Sequence, residues 1–196
     1  MTARLTSTAC WTPYVGLVHA SAHMTGWLAD QMSLTMKLKS RCASFRVQRL
    51  WQRQAIALQD EFTMLALPKR QRVREREVIL RCDERPVVYA HTVVPLSATA
   101  ADWPFFGGLG ERSLGTTLFG DPHVRRGRLE FARLGPRHVL VRRARAVLGL
   151  ALPQPVFARR CLYQRNRGLL LVTEVFLPAI AAWERPGTRA ANRTGQ

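Results

Sequence analysis

Acidic residues are scarce in this chain: thirteen Asp and Glu stand against thirty Lys and Arg in 196 residues, a formal charge of +17. Such an excess suits an anionic partner: a nucleic acid, a lipid surface or a small polyanion. Lysine is scarce as well, only Lys37, Lys39 and Lys69. Arginine therefore carries the charge, as a GC-rich coding bias alone would produce, so charge by itself decides little. The chain also lacks an RNP motif and zinc-finger spacing, and its basic residues are spread throughout, which argues against a nucleic-acid module.

The four cysteines, Cys10, Cys42, Cys82 and Cys161, form no C-x-x-C pair and have no closely spaced histidine. That excludes a short-spaced zinc site and reads as reduced, structural thiols. No apolar run approaches the roughly 20 residues needed to span a bilayer. Low-complexity tracts and internal repeats are missing too, so one ordered domain is expected. The first residues imitate a secretion signal only weakly, because Thr12, Pro13 and His19 interrupt the apolar stretch.

What is present reads as α+β. Trp27, Leu28, Gln31 and Met32 make the inner stripe of a short helix, and Ser33 caps a second helix beginning at Leu34. FRVQRLWQRQ alternates like a half-exposed strand. REVILRC and VVYAHTVVP flank DERP and form a hairpin; ARRCLY and LLLVTEVFLP flank QRNRG and form another. RRGRLEFARL is a further strand, and HVLVRRARAVLGLAL is helical up to the prolines at 153 and 155. Several hairpins and few crossover helices predict a single antiparallel sheet with helices packed against it.

Two strands hold unusual polar residues. With Asp83 and Glu84 as a two-residue turn, cross-strand partners sum to 167, which sets Arg76 opposite His91 on one apolar face. In LLLVTEVFLP, Glu174 shares a side with Leu170, Val172 and Phe176, while the opposite side is also apolar. The strand is therefore central and covered on both faces. A carboxyl group there must be paired, hydrogen-bonded or protonated. It is either half of a structural ion pair with an arginine or a desolvated carboxyl group, its pKa raised, facing a pocket beside Arg76 and His91.

Four blocks carry a closer likeness: WLADQMSLTMKL, REVILRCDERPVVYAHTVVPLS, GERSLGTTLFGDP and ARRCLYQRNRGLLLVTEVFLPA. In this order and spacing the chain resembles the chorismate pyruvate-lyase family, bacterial enzymes that make 4-hydroxybenzoate for ubiquinone synthesis. The resemblance implies a chorismate lyase-like α+β domain over 25–182; the leader 1–24 and the basic tail 183–196 fall outside it, and their sequences read as loosely ordered and frayed. It implies a cofactor-independent carbon–oxygen lyase, with no metal, that releases pyruvate from chorismate in the cytoplasm. By motif, Arg76 takes the ring carboxylate, Leu34 and Leu114 contribute backbone contacts, and Glu174 faces the ring hydroxyl. Arg76 and Glu174 are the expected catalytic pair. Many relatives have arginine at His91, so a second-carboxylate role for this histidine would make activity fall as pH rises. Residues 134–157 are an insertion relative to the shortest members. A monomer, loosely attached at most to anionic membrane, is expected. The alternative is a non-catalytic aromatic-acid effector domain, since the family's fold resembles ligand-binding domains of bacterial regulators.

Overall fold

The computed structural model describes residues 8–68, 71–149, 151–181 and 183. Its centre is a six-stranded antiparallel sheet made of β1 (Phe45–Ile56), β2 (Arg72–Cys82), β3 (Arg85–Pro95), β4 (Val124–Leu134), β5 (Val156–Arg165) and β6 (Gly168–Phe176), in the order β1-β2-β3-β6-β5-β4. The helices are α1 (Ala22–Leu28), α2 (Leu34–Lys39), α3 (Leu114–Gly120), α4 (Val139–Leu148) and the short α5 (Pro178–Ala181). The predicted α+β class holds, and β6 is central as its two apolar sides require.

Both expected hairpins form. Asp83 and Glu84 adopt positive φ of 48° and 59°, so Cys82 does pair with Arg85 across a two-residue turn. Asn166, at φ 52°, begins the turn that sets Arg165 opposite Gly168. The first hairpin then departs from its simple register. Pro86 cannot donate to the ladder, and a bulge follows it, so Leu80 pairs with Val88 and every later partner shifts by one.

Period-two alternation gives the sheet two different faces. One carries Arg76, Val78, Ala90, Thr92, Val172 and Glu174 beneath α1, α2 and α3, in the largest apolar cluster. The other is covered by α4, whose Leu140, Val141 and Ala144 pack on Ile79, Tyr89 and Val175, and by residues 57–67. Helix α4 thus lies behind the sheet, and none of the described residues of 134–157 lines the pocket described below.

The amino-terminal boundaries differ from expectation. Residues 8–24 are not a loose leader: Thr12 bridges to Phe131 on edge strand β4, Val18 is buried, and the Ser21 hydroxyl accepts from Met24 N at 3.2 Å to start α1. That helix begins and ends earlier than the Trp27–Met32 stripe suggested, leaving Met32 72% exposed. The expected tail lies outside the described residues except for Trp183, whose ring stacks on Trp27 at 5.8 Å.

Candidate functional site

A cavity of about 650 Å³, counting the open space at its mouth, lies between the first face of the sheet and helices α2 and α3. Apolar residues from at least five strands, including Val47, Val78, Ala90, Leu129 and Val172, make most of its wall. Set into that wall are three arginines and one carboxylate: Arg76, Arg126, Arg159 and Glu174.

Arg76 is 2% exposed. Its Nη2 donates to the carbonyls of Gly110 at 3.0 Å and Arg112 at 2.9 Å, which fixes the plane of the guanidinium. Its Nε is buried with no partner, and among the described residues no carboxylate approaches within ion-pair distance. Burial, with a smaller push from the Arg49 charge, lowers its pKa to about 10. A desolvated cation lacking a counter-ion is costly unless an anion joins it.

Glu174 has a partner. Arg159 is its direct cross-strand neighbour on β5 and donates through Nε to Oε2 at 2.5 Å. Arg159 is in turn held by the carbonyls at the end of α1, Trp27 and Leu28 at 3.3 Å and Asp30 at 2.8 Å. The structure gives the first reading of the lone acid and the cavity-lining part of the second: Glu174 is half of a partly buried ion pair and also lines the cavity, with Oε2 engaged and no partner for Oε1 among the described residues. Arg76 pairs with Thr92 and thence with Val172, whereas Glu174 pairs with Ala90. A strand spacing of ~4.8 Å and a rise of ~3.4 Å per residue put the two Cα atoms roughly 12 Å apart. Once the side chains extend inward, that span fits a benzene ring with polar groups at opposite ends.

Leu34 and Leu114 open α2 and α3, both at the cavity wall. First-turn N–H groups have no intrahelical partner. Ser33 caps α2 by accepting from Met36 N at 3.5 Å, and Thr35 Oγ1 lies 2.7 Å from Ser113 Oγ, tying the two helix starts together. Gly115 permits this approach, since a Cβ there would stand 3.0 Å from Thr35 Oγ1.

His91 is not in this site. The bulge after Pro86 pairs it with Glu77 and turns its side chain to the opposite face. There it is fully buried, with Nδ1 3.0 Å from Glu77 Oε1 and Nε2 2.9 Å from Glu61 Oε1. Burial alone would lower its pKa, but Glu61 and Glu77 outweigh that and raise it to about 10. Arg143 of α4 bridges Glu75 (2.8 Å) and Glu77, and the Tyr89 hydroxyl donates to Glu77. Glu75, Glu77 and His91 bring ligand-type atoms within 4.8 Å of one another, yet the Arg143 guanidinium already occupies both carboxylates. With Arg53, whose Nε lies 3.1 Å from Glu75 Oε1, three cations meet the three carboxylates Glu61, Glu75 and Glu77; the group is a charge-balanced cluster behind the pocket, and the expected Arg76–His91 patch is overturned.

Sequence reasoning missed Arg159, Arg126 and Tyr163. Arg159 was within reach: the Asn166–Arg167 turn gives partners summing to 333, which sets Glu174 against Arg159. Arg126 lies above a bulge in β4, where alternation fails as a guide. Tyr163 is its cross-strand partner, and burial pushes that phenol well above its ordinary range.

Comparison with known proteins bears on this arrangement. The family described as chorismate lyase matches residues 5–187. A protein of Ralstonia nicotianae named probable chorismate pyruvate-lyase is 48% identical over 167 residues, covering 84% of this chain and 86% of that protein. One of Nitrosomonas eutropha with the same name is 43% identical, covering 83% and 91%. Among solved structures, the effector domain of PhnF from Mycobacterium smegmatis matches with a TM-score of 0.52 at 16% identity, over 76% of this chain and 91% of that one. The C-terminal domain of the histidine utilization repressor from Pseudomonas syringae pv. tomato matches at 0.51 and 11%, over 72% and 95%. At such identities the structural likeness concerns the fold alone.

Proposed function

Since the chain belongs to the chorismate lyase family and is a chorismate pyruvate-lyase, we propose that the cavity beneath α2 and α3 is where chorismate is converted to 4-hydroxybenzoate and pyruvate. The observation that carries this is Arg76, a buried guanidinium held by two carbonyls and lacking an anion. It takes the ring carboxylate through charge-assisted hydrogen bonds in a water-poor wall.

In the reaction the bond between the ring and the enol ether oxygen breaks. The adjacent ring carbon, which bears the hydroxyl, loses its hydrogen as a proton, and the enolpyruvate takes up a proton to become pyruvate. The gain of aromaticity drives the step, so the protein's part is orientation and proton placement. Glu174 faces the ring hydroxyl through Oε1 while Arg159 holds Oε2, and backbone N–H groups at Leu34 and Leu114 hold the substrate from above. Arg76 and Glu174 are the catalytic residues in this reading, and no cofactor enters it. The reading further makes this the first committed step of ubiquinone synthesis, carried out in the cytoplasm by a monomer that touches anionic membrane only peripherally. Among the described residues no helix is long and apolar enough to cross a membrane.

The test is to incubate purified protein with chorismate and follow 4-hydroxybenzoate by absorbance and pyruvate by a coupled assay. Equimolar products are expected, with kcat/KM reduced by about two orders of magnitude or more in Arg76→Ala and Glu174→Ala, in line with loss of a positioned charged group. Binding of 4-hydroxybenzoate without pyruvate release would favour an effector domain instead.

A further inference from the structure

Chorismate carries two carboxylates, one on the ring and one on the enolpyruvyl side chain, and His91 is not available for the second. Resting on the reading above, we propose that Arg126 receives the enolpyruvyl carboxylate. Of the three arginines in the cavity wall, Arg159 is matched by Glu174 and three carbonyls. Arg76 and Arg126 are left without a carboxylate among the described residues, so the cavity holds two unmatched guanidinia for a dianion.

Arg126 is also placed for the task. It stands on β4 at the far side of the cavity floor from β2, across β5 and Tyr163. Its Nη1 donates to the Gln31 carbonyl and lies 3.3 Å from Gln31 Oε1, while its guanidinium rests over the Phe119 ring at 5.4 Å. Though the residue is only half-buried, its Nε is buried and has no partner, a feature it shares with Arg76. A guanidinium stacked on an aromatic face and anchored through Nη1 is held in plane with its Nε left to donate to a carboxylate. Arg76, Glu174 and Arg126 stand on β2, β6 and β4, at three corners of the floor. Chorismate has three polar groups to place: ring carboxylate, ring hydroxyl and side-chain carboxylate. Holding the last of these keeps the leaving group in line as its ether bond breaks and lets the aromatic product, which lacks that carboxylate, depend on Arg126 far less.

The experiment compares Arg126→Met with wild type and Arg76→Met in the full chain, reading chorismate kinetics and 4-hydroxybenzoate affinity in parallel. The expected pattern is a loss of at least tenfold in kcat/KM for chorismate with less than a twofold change in 4-hydroxybenzoate Kd, against a loss in both for Arg76→Met. Arg126→Lys should recover part of the loss, and Phe119→Leu, which removes the stacking face and keeps the charge, should show a smaller loss of the same kind. Equal losses for substrate and product, or none for either, would overturn the assignment. If wild type releases no pyruvate, the lyase reading falls; direct chorismate binding to wild type and Arg126→Met then still decides whether Arg126 holds the second carboxylate.

Discussion

A buried imidazole between two carboxylates ties stability to pH in a definite direction. The folded value for His91, about 10, lies above the 6.5 of an unperturbed histidine. Its contribution to stability is therefore full below pH about 6.5 and disappears as pH rises through about 10. The groups facing it are Glu61, Glu77 and Glu75, with Arg143 from α4 and the Tyr89 hydroxyl completing the cluster. Arg143 keeps its charge across that window. We expect the melting temperature of wild type to fall between pH 6.5 and 10 more steeply than that of His91→Gln. At neutral pH the variant should be less stable by about 3 kcal/mol, because it leaves buried carboxylates uncompensated. Parallel pH profiles for the two proteins would refute the imidazolium assignment. The same residue shows the limit of reading side chains from a strand pattern: Arg76 and Glu174 could be placed because alternation alone gives their face, but His91 needed a register count through Pro86. One bulge sends a side chain to the other face of the sheet.

At the scale of elements, the cavity depends on two short helices whose first turns touch. Ser33 precedes Leu34 in the sequence, so the start of α2 was readable; α3 was not readable as a helix, since Ser113 makes no side-chain cap, and the meeting of the two starts was not readable either, because they are about eighty residues apart and only the folded sheet brings them together. Gly115 is the joint. A Cβ there would meet Thr35 Oγ1 at 3.0 Å, so that hydroxyl must give by a few tenths of an ångström and loosen its 2.7 Å hydrogen bond with Ser113, while Ser33 Oγ at 3.5 Å and Ser113 Oγ at 3.7 Å are ordinary contacts. Alanine is a better helix former than glycine by about 1 kcal/mol, which offsets part of the strain. Gly115→Ala should thus stay within about 1 kcal/mol of wild-type stability while kcat/KM falls about tenfold, because the helix starts spread and the substrate-facing N–H groups shift. A variant that keeps full activity would show that α2 and α3 do not position the substrate. The insertion carrying α4 was visible as a helix, but its side of the sheet could be known only once Arg143 was seen on Glu75 and Glu77.

For the whole molecule, the excess charge has a structural side. Among the described residues eight acids stand in ion pairs with arginine, lysine or the His91 imidazolium: Asp30, Glu61, Glu75, Glu77, Glu84, Asp121, Glu130 and Glu174. Glu61, Glu75 and Glu77 are buried, but so are Arg76, Arg159 and Arg160, so the excess of arginine remains at the surface and the field outside is predominantly positive. Such a field repels second copies and draws small anions toward a cavity that itself holds two unmatched guanidinia. A dianionic substrate should feel it before contact. Screening shortens the reach from ~30 Å at 0.01 M salt to ~10 Å at 0.1 M. We therefore expect kcat/KM for chorismate to fall severalfold between about 0.01 and 0.3 M salt, while kcat, which reads the bound complex, changes little. Stopped-flow or initial-rate assays at fixed pH across that range decide it. A flat kcat/KM would mean that the arginine excess reflects coding composition and that capture depends on the buried guanidinia alone; a steep one would make the surface charge part of how the substrate reaches Arg76.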